Sequence, residues 1–166
     1  GNLKPGSFPL LTHSMFCGEQ FPVDIAKAWR AAAPNSSIEN LYGPTEATIY
    51  ISRYSYSSKD ENRLFRNNIV PIGRPFDGHE VALIDDKAER ISGFDKGEIV
   101  FTGPQLAKGY LNDEEKTSRS FVSFDWDVQG RVWYKTGDLG FFNANHELEC
   151  TGRIDSQIKI SGRRIE

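Results

Sequence analysis

Residues 40–48 read Asn-Leu-Tyr-Gly-Pro-Thr-Glu-Ala-Thr, and this stretch decides the fold around it. Glycine followed by proline favours a tight turn, because glycine tolerates unusual backbone angles and proline restricts its own. The β-prone runs Ser37–Leu41 and Ala47–Tyr54 flank the turn, and we predict both as strands. The turn therefore presents Thr45 and Glu46 with little freedom of movement between two strands.

The same turn carries side chains that suit nucleotide chemistry. A threonine hydroxyl donates to phosphate oxygens, and a carboxylate is a ligand that Mg²⁺ prefers. Tyr42 adds a flat ring on which a nucleobase can stack. Taken alone, such a loop is more often a plain strand connection, with Thr45 bonded to backbone and Glu46 solvated. Both interpretations remain open on this motif.

The first third of the chain has the pattern of an α/β unit. The apolar run Pro9–Phe16 is β-prone and predicts a strand. Pro22 and apolar residues at three- and four-residue steps predict a helix over residues 22–33. The predicted order is strand, helix, strand, loop, strand.

The rest of the chain is predicted to be mainly β. Residues 55–68 are polar and aperiodic, which predicts a surface loop, and short β runs separated by turn residues follow from Ile69. Asn112–Ser118 has acidic residues in its first turn and predicts one short helix. The fold class is therefore α+β, a partial α/β sheet followed by a small antiparallel β-barrel. The predicted barrel strands include Val81–Ile84, Glu98–Thr102, Arg131–Tyr134 and Leu148–Thr151.

Composition excludes several classes of protein. The chain has 166 residues, with 20 Lys plus Arg against 23 Asp plus Glu, which argues against a basic nucleic-acid surface. No apolar run approaches a membrane span, and the first residues lack a secretory pattern, so we predict a cytoplasmic protein without a membrane partner. Cys17 and Cys150 are predicted to be separate thiols, and the three histidines lack metal-ligand spacing. The only methionine is Met15, so Gly1 is not a translation start, and we expect a fragment of a longer protein.

Two further motifs suit a nucleotide. In Trp133–Gly140 a predicted strand runs into a glycine turn that presents Asp138, and a carboxylate accepts hydrogen bonds from both ribose hydroxyls. In Gly152–Asp155, Arg153 is a cation that can reach the same ribose or a phosphate. The plain alternatives are a turn aspartate and a surface ion pair between Arg153 and Asp155. Asp125 and Asp127 flank Trp126 and are predicted to be solvated charges.

The order and spacing of these motifs resemble the adenylate-forming enzymes. The resemblance is greatest to the amino-acid adenylation domains of nonribosomal peptide synthetases and to the D-alanine-activating ligases, and it covers nearly the whole chain. Each motif alone is weak evidence, but six in family order are strong. The matching segments are Phe16–Glu19, Tyr42–Glu46, Ile72–Pro75, Gly97–Leu111, Tyr134–Leu139 and Gly152–Glu166.

The resemblance implies a reaction and its participants. In this family a carboxylate attacks the α-phosphorus of ATP, giving an acyl-adenylate and pyrophosphate, and a thiol then takes the acyl group. The expected cofactors are ATP or AMP and Mg²⁺. The expected partners are an amino acid or other small carboxylic acid and the phosphopantetheine thiol of a carrier protein.

The resemblance also implies roles for individual residues. Tyr42 would stack on adenine, Thr45 would contact the α-phosphate, Glu46 would help hold Mg²⁺, and Asp138 and Arg153 would bind the ribose. The remaining implied residues are the hinge Asp155, the thiolation residue Lys159, and a substrate pocket of Met15, Cys17, Leu41, Ile49 and Tyr50. The pocket residues are apolar or weakly polar, which favours a small or uncharged side chain.

The resemblance divides the chain and limits its activity. The predicted parts are an α/β end over 1–55, a surface loop over 56–68, a β-barrel over 69–153, and a hinge with the start of a lid over 154–166. The chain contains no phosphate-binding loop rich in Ser, Thr and Gly, and no lid lysine, so we expect it to be inactive alone. Cys150 stands where many members have an aromatic residue, and the D-alanine-activating branch is similar in having cysteine there. The alternatives are an acyl- or aryl-CoA synthetase fragment and a noncatalytic β-rich binding module.

Overall fold

The computed structural model describes residues 3–155 together with the backbone of residues 158–160 and 163–165. It contains two larger β-sheets and two helices. The strands are β1 (His13–Cys17), β2 (Ser37–Tyr42), β3 (Ser52–Tyr56), β4 (Arg74–Pro75), β5 (Glu80–Ile84), β6 (Gly97–Thr102), β7 (Phe121–Val122), β8 (Trp133–Phe142), β9 (Leu148–Arg153), β10 (Ile158–Ile160) and β11 (Arg163–Ile165). The helices are α1 (Val23–Ala32) and α2 (Glu114–Ser120). Strands β10 and β11 form a separate antiparallel pair.

The first sheet has the strand order β1-β2-β3-β4. Strands β1 and β2 are parallel and are connected through α1, whereas β3 and β4 join in antiparallel fashion. The helix buries Val23 and Ala26 against Ile38 and Tyr54 of the sheet, because its apolar side chains recur at helical spacing. The predicted helix and the predicted order of elements are confirmed.

The strand predicted over Ala47–Tyr54 starts later than expected. Residues Thr45–Ala47 form a single 3₁₀ turn, and Thr48 and Ile49 have positive φ values of 54° and 86°. The chain returns to the sheet where Ile51 donates its N–H to the Tyr42 carbonyl at 2.8 Å. The β-branched residues of this segment therefore belong to a compact loop, whose tertiary contacts override local β propensity.

The second sheet is antiparallel and forms a curled half-barrel. Its order is β5-β6-β8-β7, with β9 paired to the distal half of β8. Strand β8 is ten residues long, much longer than the predicted Arg131–Tyr134. It pairs with three strands, β6, β7 and β9, along different parts of its length. The predicted α+β class with an antiparallel β unit is confirmed. Helix α2 begins two residues later than expected, with Asp113 accepting a hydrogen bond from the Lys116 N–H.

The two sheets are joined by backbone hydrogen bonds. Ile72 and Gly73 donate to the Leu148 carbonyl at 2.9 and 3.1 Å, and Leu148 donates to the Gly73 carbonyl at 2.7 Å. Leu148 also packs in a buried cluster with Leu83 and Ile99. The end of β2 and the hairpin of β8 and β9 are thereby held close together. The division into residues 1–55, 56–68, 69–153 and 154–166 stays a prediction.

The prediction that Asp127 is a solvated charge is wrong, because its side chain is buried. Its carboxylate accepts hydrogen bonds from the Arg131 side chain and from the Trp133 indole, the latter at 2.8 Å. These bonds hold the pKa of Asp127 well below its usual range. Asp125 is exposed, as predicted.

In the part of the chain that the structure describes, neither helix has the length and apolar character needed to cross a membrane. Cys17 and Cys150 are not joined by a disulfide, as predicted.

Candidate functional site

A cavity of about 480 Å³ lies between the end of β2 and the hairpin of β8 and β9. One side is formed by the first sheet and the turn after β1, and the other side by the half-barrel. The lining residues include Leu41, Tyr42 and Gly43 on the first side, and Asp138, Cys150 and Arg153 on the second. The cavity thus brings together residues from the loop at 40–48 and from the two later motifs.

Asp138 presents an oriented carboxylate to this cavity. The Tyr42 hydroxyl donates to its Oδ2 atom at 2.6 Å, and Arg153 Nη1 donates to its Oδ1 atom at 2.6 Å. The Asp138 N–H donates to Thr136 Oγ1 at 2.9 Å, which fixes the backbone at the same point. Asp138 and Arg153 also lie opposite each other in the pairing of β8 with β9.

The carboxylate of Asp138 retains acceptor capacity. A carboxylate offers about four lone-pair positions on its two oxygens. Tyr42 and Arg153 each use one position on a different oxygen, so within the described residues one position on each oxygen is left for further donors. Two vicinal hydroxyls, as in a ribose, match this arrangement.

Arg153 is held on every side by acceptors. Besides Asp138, its Nη1 atom donates to the Thr136 carbonyl at 3.1 Å. Its Nε and Nη2 atoms donate to the two oxygens of Asp155 at 2.6 and 2.7 Å. The hydrogen bond to Asp155 raises the pKa of Arg153, and the charge of Asp138 adds to this effect. The ion pair of Arg153 with Asp155, the plain alternative for this motif, is therefore present together with the contact to Asp138.

Tyr42 is a hydrogen-bond donor at neutral pH. Burial and the nearby charge of Asp138 raise the pKa of the Tyr42 hydroxyl well above its usual value. Its ring packs against two buried clusters, one that includes Ile51 and Phe101 and one that includes Ile72 and Ile99. The side chain therefore links the first sheet to the half-barrel at the wall of the cavity.

Gly43 is required by the close approach of two backbone segments. A Cβ atom at this position would lie 2.5 Å from Tyr50 Cα and 2.9 Å from the Ile51 nitrogen. The loop after β2 consequently folds back directly on Gly43, which leaves the cavity open on the other side.

Glu46 is buried behind the loop. Its Oε1 atom accepts a hydrogen bond from the Tyr110 hydroxyl at 2.5 Å, and its backbone carbonyl accepts from the Ala107 N–H at 2.8 Å. The Tyr110 hydroxyl is 3.3 Å from that of Tyr134, and burial raises the pKa of both tyrosines. Thr45 is exposed. Neither Thr45 nor Glu46 is among the described residues that line the cavity.

The predicted substrate-pocket residues lie on β1, near the end of β2 and in the loop that follows β2, and Cys17 is paired with Leu41 across the two strands. Leu41 lines the cavity, and Cys17 immediately precedes lining residue Gly18. Met15 and Ile49 are 62% and 63% exposed, and the ring of Tyr50 lies 5.4 Å from that of Phe76. Lys159 lies in β10, but its side chain falls outside the described residues.

Two contributors to the site were not predicted. Thr136 accepts from the Asp138 N–H and donates to the Ile99 carbonyl at 2.7 Å. Glu98, predicted only as part of a core strand, accepts from the Gly137 N–H at 3.0 Å. Thr136 belongs to a motif that sequence analysis identified, but residue type and spacing do not reveal such supporting bonds.

The sequence model of the AMP-binding enzyme family matches residues 3–111, and the chain belongs to that family. This match agrees with the resemblance of the sequence motifs to those of the adenylate-forming enzymes. The fold and family predictions are confirmed.

Curated relatives are D-alanine–D-alanyl carrier protein ligases. One from Streptococcus pyogenes is 39% identical over 158 residues, which cover 95% of this chain and 30% of the relative. Another, from Streptococcus equi subsp. equi, is 40% identical over the same share of both chains. The chain therefore spans about 30% of the length of the curated relatives that it matches.

Solved structures with the same fold include adenylation domains. The adenylation domain AlmE of Vibrio cholerae, in complex with glycyl-adenosine-5′-phosphate, is 36% identical and superposes with a TM-score of 0.86. The match covers 98% of this chain and 30% of that one. PA1221, a nonribosomal peptide synthetase protein with adenylation and PCP domains, is 31% identical with a TM-score of 0.84 over 93% of this chain and 31% of that one.

Proposed function

We propose that this chain contains the adenosine-binding part of an ATP-dependent ligase that activates an amino acid. The observation that carries the proposal is the Asp138 carboxylate, oriented at the cavity by Tyr42 and Arg153 with an acceptor position left on each oxygen. The two hydroxyls of a ribose match these positions. The family of the chain supports the same assignment.

The proposed reaction has two steps. An oxygen of the amino acid carboxylate attacks the α-phosphorus of ATP, and the bond to the leaving pyrophosphate breaks. The thiol of a carrier-protein phosphopantetheine then attacks the acyl carbon and releases AMP. The names of the curated relatives, which are carrier-protein ligases, support this class of acceptor over coenzyme A.

The proposed substrate is a small amino acid. Two features support this choice: the relatives named for D-alanine, and the AlmE complex with a glycyl adenylate. Met15, Cys17, Leu41, Ile49 and Tyr50 remain the proposed pocket residues, and none of them carries a charge that would select an acidic or basic side chain.

The proposed nucleotide contacts divide between two groups of residues. Tyr42, Asp138 and Arg153 already meet at the cavity and suit an adenosine. Thr45 is proposed for the α-phosphate, Asp155 for the hinge and Lys159 for the thiolation step, on the strength of the motifs alone.

Magnesium is proposed to accompany the triphosphate, with Glu46 as a protein ligand. Mg²⁺ is usually held by one or two carboxylates together with substrate phosphates and water. A single carboxylate from Glu46 fits that pattern, although Tyr110 holds it by a hydrogen bond. Among the described residues, no group of three or more His, Cys, Asp or Glu is arranged to hold a metal ion, so phosphate oxygens would supply the other ligands.

Titration with AMP tests the proposed nucleotide site. We expect AMP to shift the backbone amide resonances of Gly43, Asp138 and Arg153 in the NMR spectrum of the chain. Asp138→Asn removes a charged acceptor for the ribose, so affinity should fall about tenfold to a hundredfold. Asp125→Asn, at an exposed position in another part of the half-barrel, is the matched control and should bind AMP as the wild type does.

Absence of any shift at these amides at millimolar AMP would contradict the proposal and favour a noncatalytic β-rich module. Pyrophosphate exchange separates binding from catalysis, and we expect the chain alone to bind AMP without catalysing the exchange. The physical reason is that the described cavity residues include a single cation, Arg153, to oppose the charge of a triphosphate.

A further inference from the structure

Asp155 lies two residues beyond the end of β9. It binds the guanidinium of Arg153 on the side opposite Asp138. Its two oxygens accept from Nε and Nη2 of the guanidinium at 2.6 and 2.7 Å. This two-point geometry fixes the plane of the guanidinium as well as its position. Only Nη1 is then directed toward Asp138 and the Thr136 carbonyl.

The backbone of β8 is shaped to accept Arg153 in this orientation. Gly137 has a φ of +71°, and a Cβ atom there would lie 2.7 Å from Arg153 Nη2. The Ile154 N–H donates to the Gly137 carbonyl at 2.8 Å, which holds the start of the segment after β9 against this part of β8. The guanidinium therefore sits in a prepared position between two carboxylates.

The orientation of Arg153 decides how much of Asp138 a ligand can use. A guanidinium released from Asp155 gains freedom to rotate and to pair with Asp138 through two nitrogens, which is the favoured geometry of arginine with a carboxylate. Such a pair would take a second acceptor position on Asp138. With Asp155 in place, a single nitrogen of Arg153 contacts Asp138 and the diol positions stay available.

We propose that Asp155 is a positioning residue for recognition of the ribose diol, and that it acts through Arg153. The inference rests on the proposed function, because its ligand is a nucleoside 5′-phosphate. It gives Asp155 a role in binding that is separate from the hinge role implied by the motif. Binding free energies are reciprocal, so a bound diol should in turn strengthen the contact of Arg153 with Asp155 and hold the segment after β9 more firmly.

The test compares two ligands that differ only in the diol, AMP and 2′,3′-dideoxy-AMP. Dissociation constants are measured by NMR titration of the wild-type chain and of the Asp155→Asn and Arg153→Lys variants. Asp155→Asn should weaken AMP binding about three- to tenfold, because the released arginine side chain must be ordered again on binding. It should leave dideoxy-AMP binding unchanged. Arg153→Lys keeps the charge but loses the planar fork, and we expect the same selective loss.

Asp125→Asn serves as the matched substitution at an exposed position. Equal affinity of Asp155→Asn and the wild type for AMP would overturn the inference, and so would an equal loss for both ligands, which is what a merely structural role predicts. Failure of the wild-type chain to bind AMP would instead overturn the proposed function, and the inference with it.

Discussion

At the scale of single residues, the cavity wall depends on contacts between side chains that are distant in the sequence. Tyr42 and Asp138 are 96 positions apart, yet their side chains share a hydrogen bond of 2.6 Å. Both residues belong to motifs that suit a nucleotide. The motif of Tyr42 indicates only a flat ring, because nothing in residue type or spacing indicates that its hydroxyl orients a carboxylate.

The contacts of Asp127 were likewise not indicated by residue type or spacing, and they lead to a prediction about stability and pH. Its pKa in the folded chain lies below the ordinary value of 3.8, so the ionised carboxylate stabilises the fold above that value. The stabilisation should be lost as the pH falls from there through the lower pKa of the folded state. In urea denaturation, the deficit of Asp127→Asn against the wild type should be largest near neutral pH and should shrink below about pH 4.

Asp125→Asn is the comparison for this series, because Asp125 is exposed and only two positions away. Its stability should follow that of the wild type at every pH. A deficit of Asp127→Asn that stays constant between pH 7 and pH 2 would show that the charge of Asp127 does not stabilise the fold.

At the scale of elements, the loop between β2 and β3 departs most from the local pattern. Its β-branched residues predicted a strand, but Thr48 and Ile49 adopt positive φ values instead. The buried Ala47, the close approach of Tyr50 to Gly43, and the contact of Glu46 with Tyr110 decide this conformation. These are tertiary contacts, which a local propensity cannot anticipate.

Gly73 precedes β4, and we expect Gly73→Ala to be strongly destabilising. Its φ of +79° costs an alanine roughly 1–2 kcal/mol. The new Cβ would also lie 1.8 Å from the Arg53 carbonyl oxygen, so β3 and β4 have to separate. We expect a total loss of about 3 kcal/mol or more in the free energy of unfolding, measured by urea denaturation.

Gly93→Ala separates the two contributions. Gly93 has a similar φ of +87°, but a Cβ atom there would have nothing within 4 Å. The loss at Gly93 should therefore be limited to the backbone cost, about 1–2 kcal/mol. Equal losses for the two variants would refute the role of the close approach at Gly73.

At the scale of the whole molecule, a half-buried ion pair joins the first sheet to the half-barrel. Arg63, which follows β3, makes two hydrogen bonds to Glu147 at the turn between β8 and β9, and it also donates to the Tyr54 hydroxyl at 2.7 Å. Burial alone would raise the pKa of Glu147, but hydrogen bonds from Arg63 and Asn143 outweigh it and lower the pKa. The pair thus fixes the two sheets relative to each other on the flank of the molecule.

A double-mutant cycle with Arg63→Met and Glu147→Gln measures this connection. The side chains are only 24% and 15% exposed, so we expect a coupling free energy of about 1–2 kcal/mol in urea denaturation. The matched pair is Arg119 with Glu115 in α2, where both side chains are 75% exposed. That pair should contribute about 0.3–0.5 kcal/mol, and similar couplings for both pairs would contradict the proposed connection.

The sequence by itself determined the α+β class, the helix near residues 22–33, and the three motifs that contain Tyr42, Asp138 and Arg153. It did so because apolar periodicity and turn-forming residues act locally, and because six motifs in one order identify a family. Only the tertiary structure decided that these three side chains meet at one cavity, that Glu46 is buried against Tyr110, and that Asp155 holds Arg153. Those outcomes depend on how the half-barrel packs against the first sheet, and contacts between distant segments have no signature in the spacing of residues along a chain.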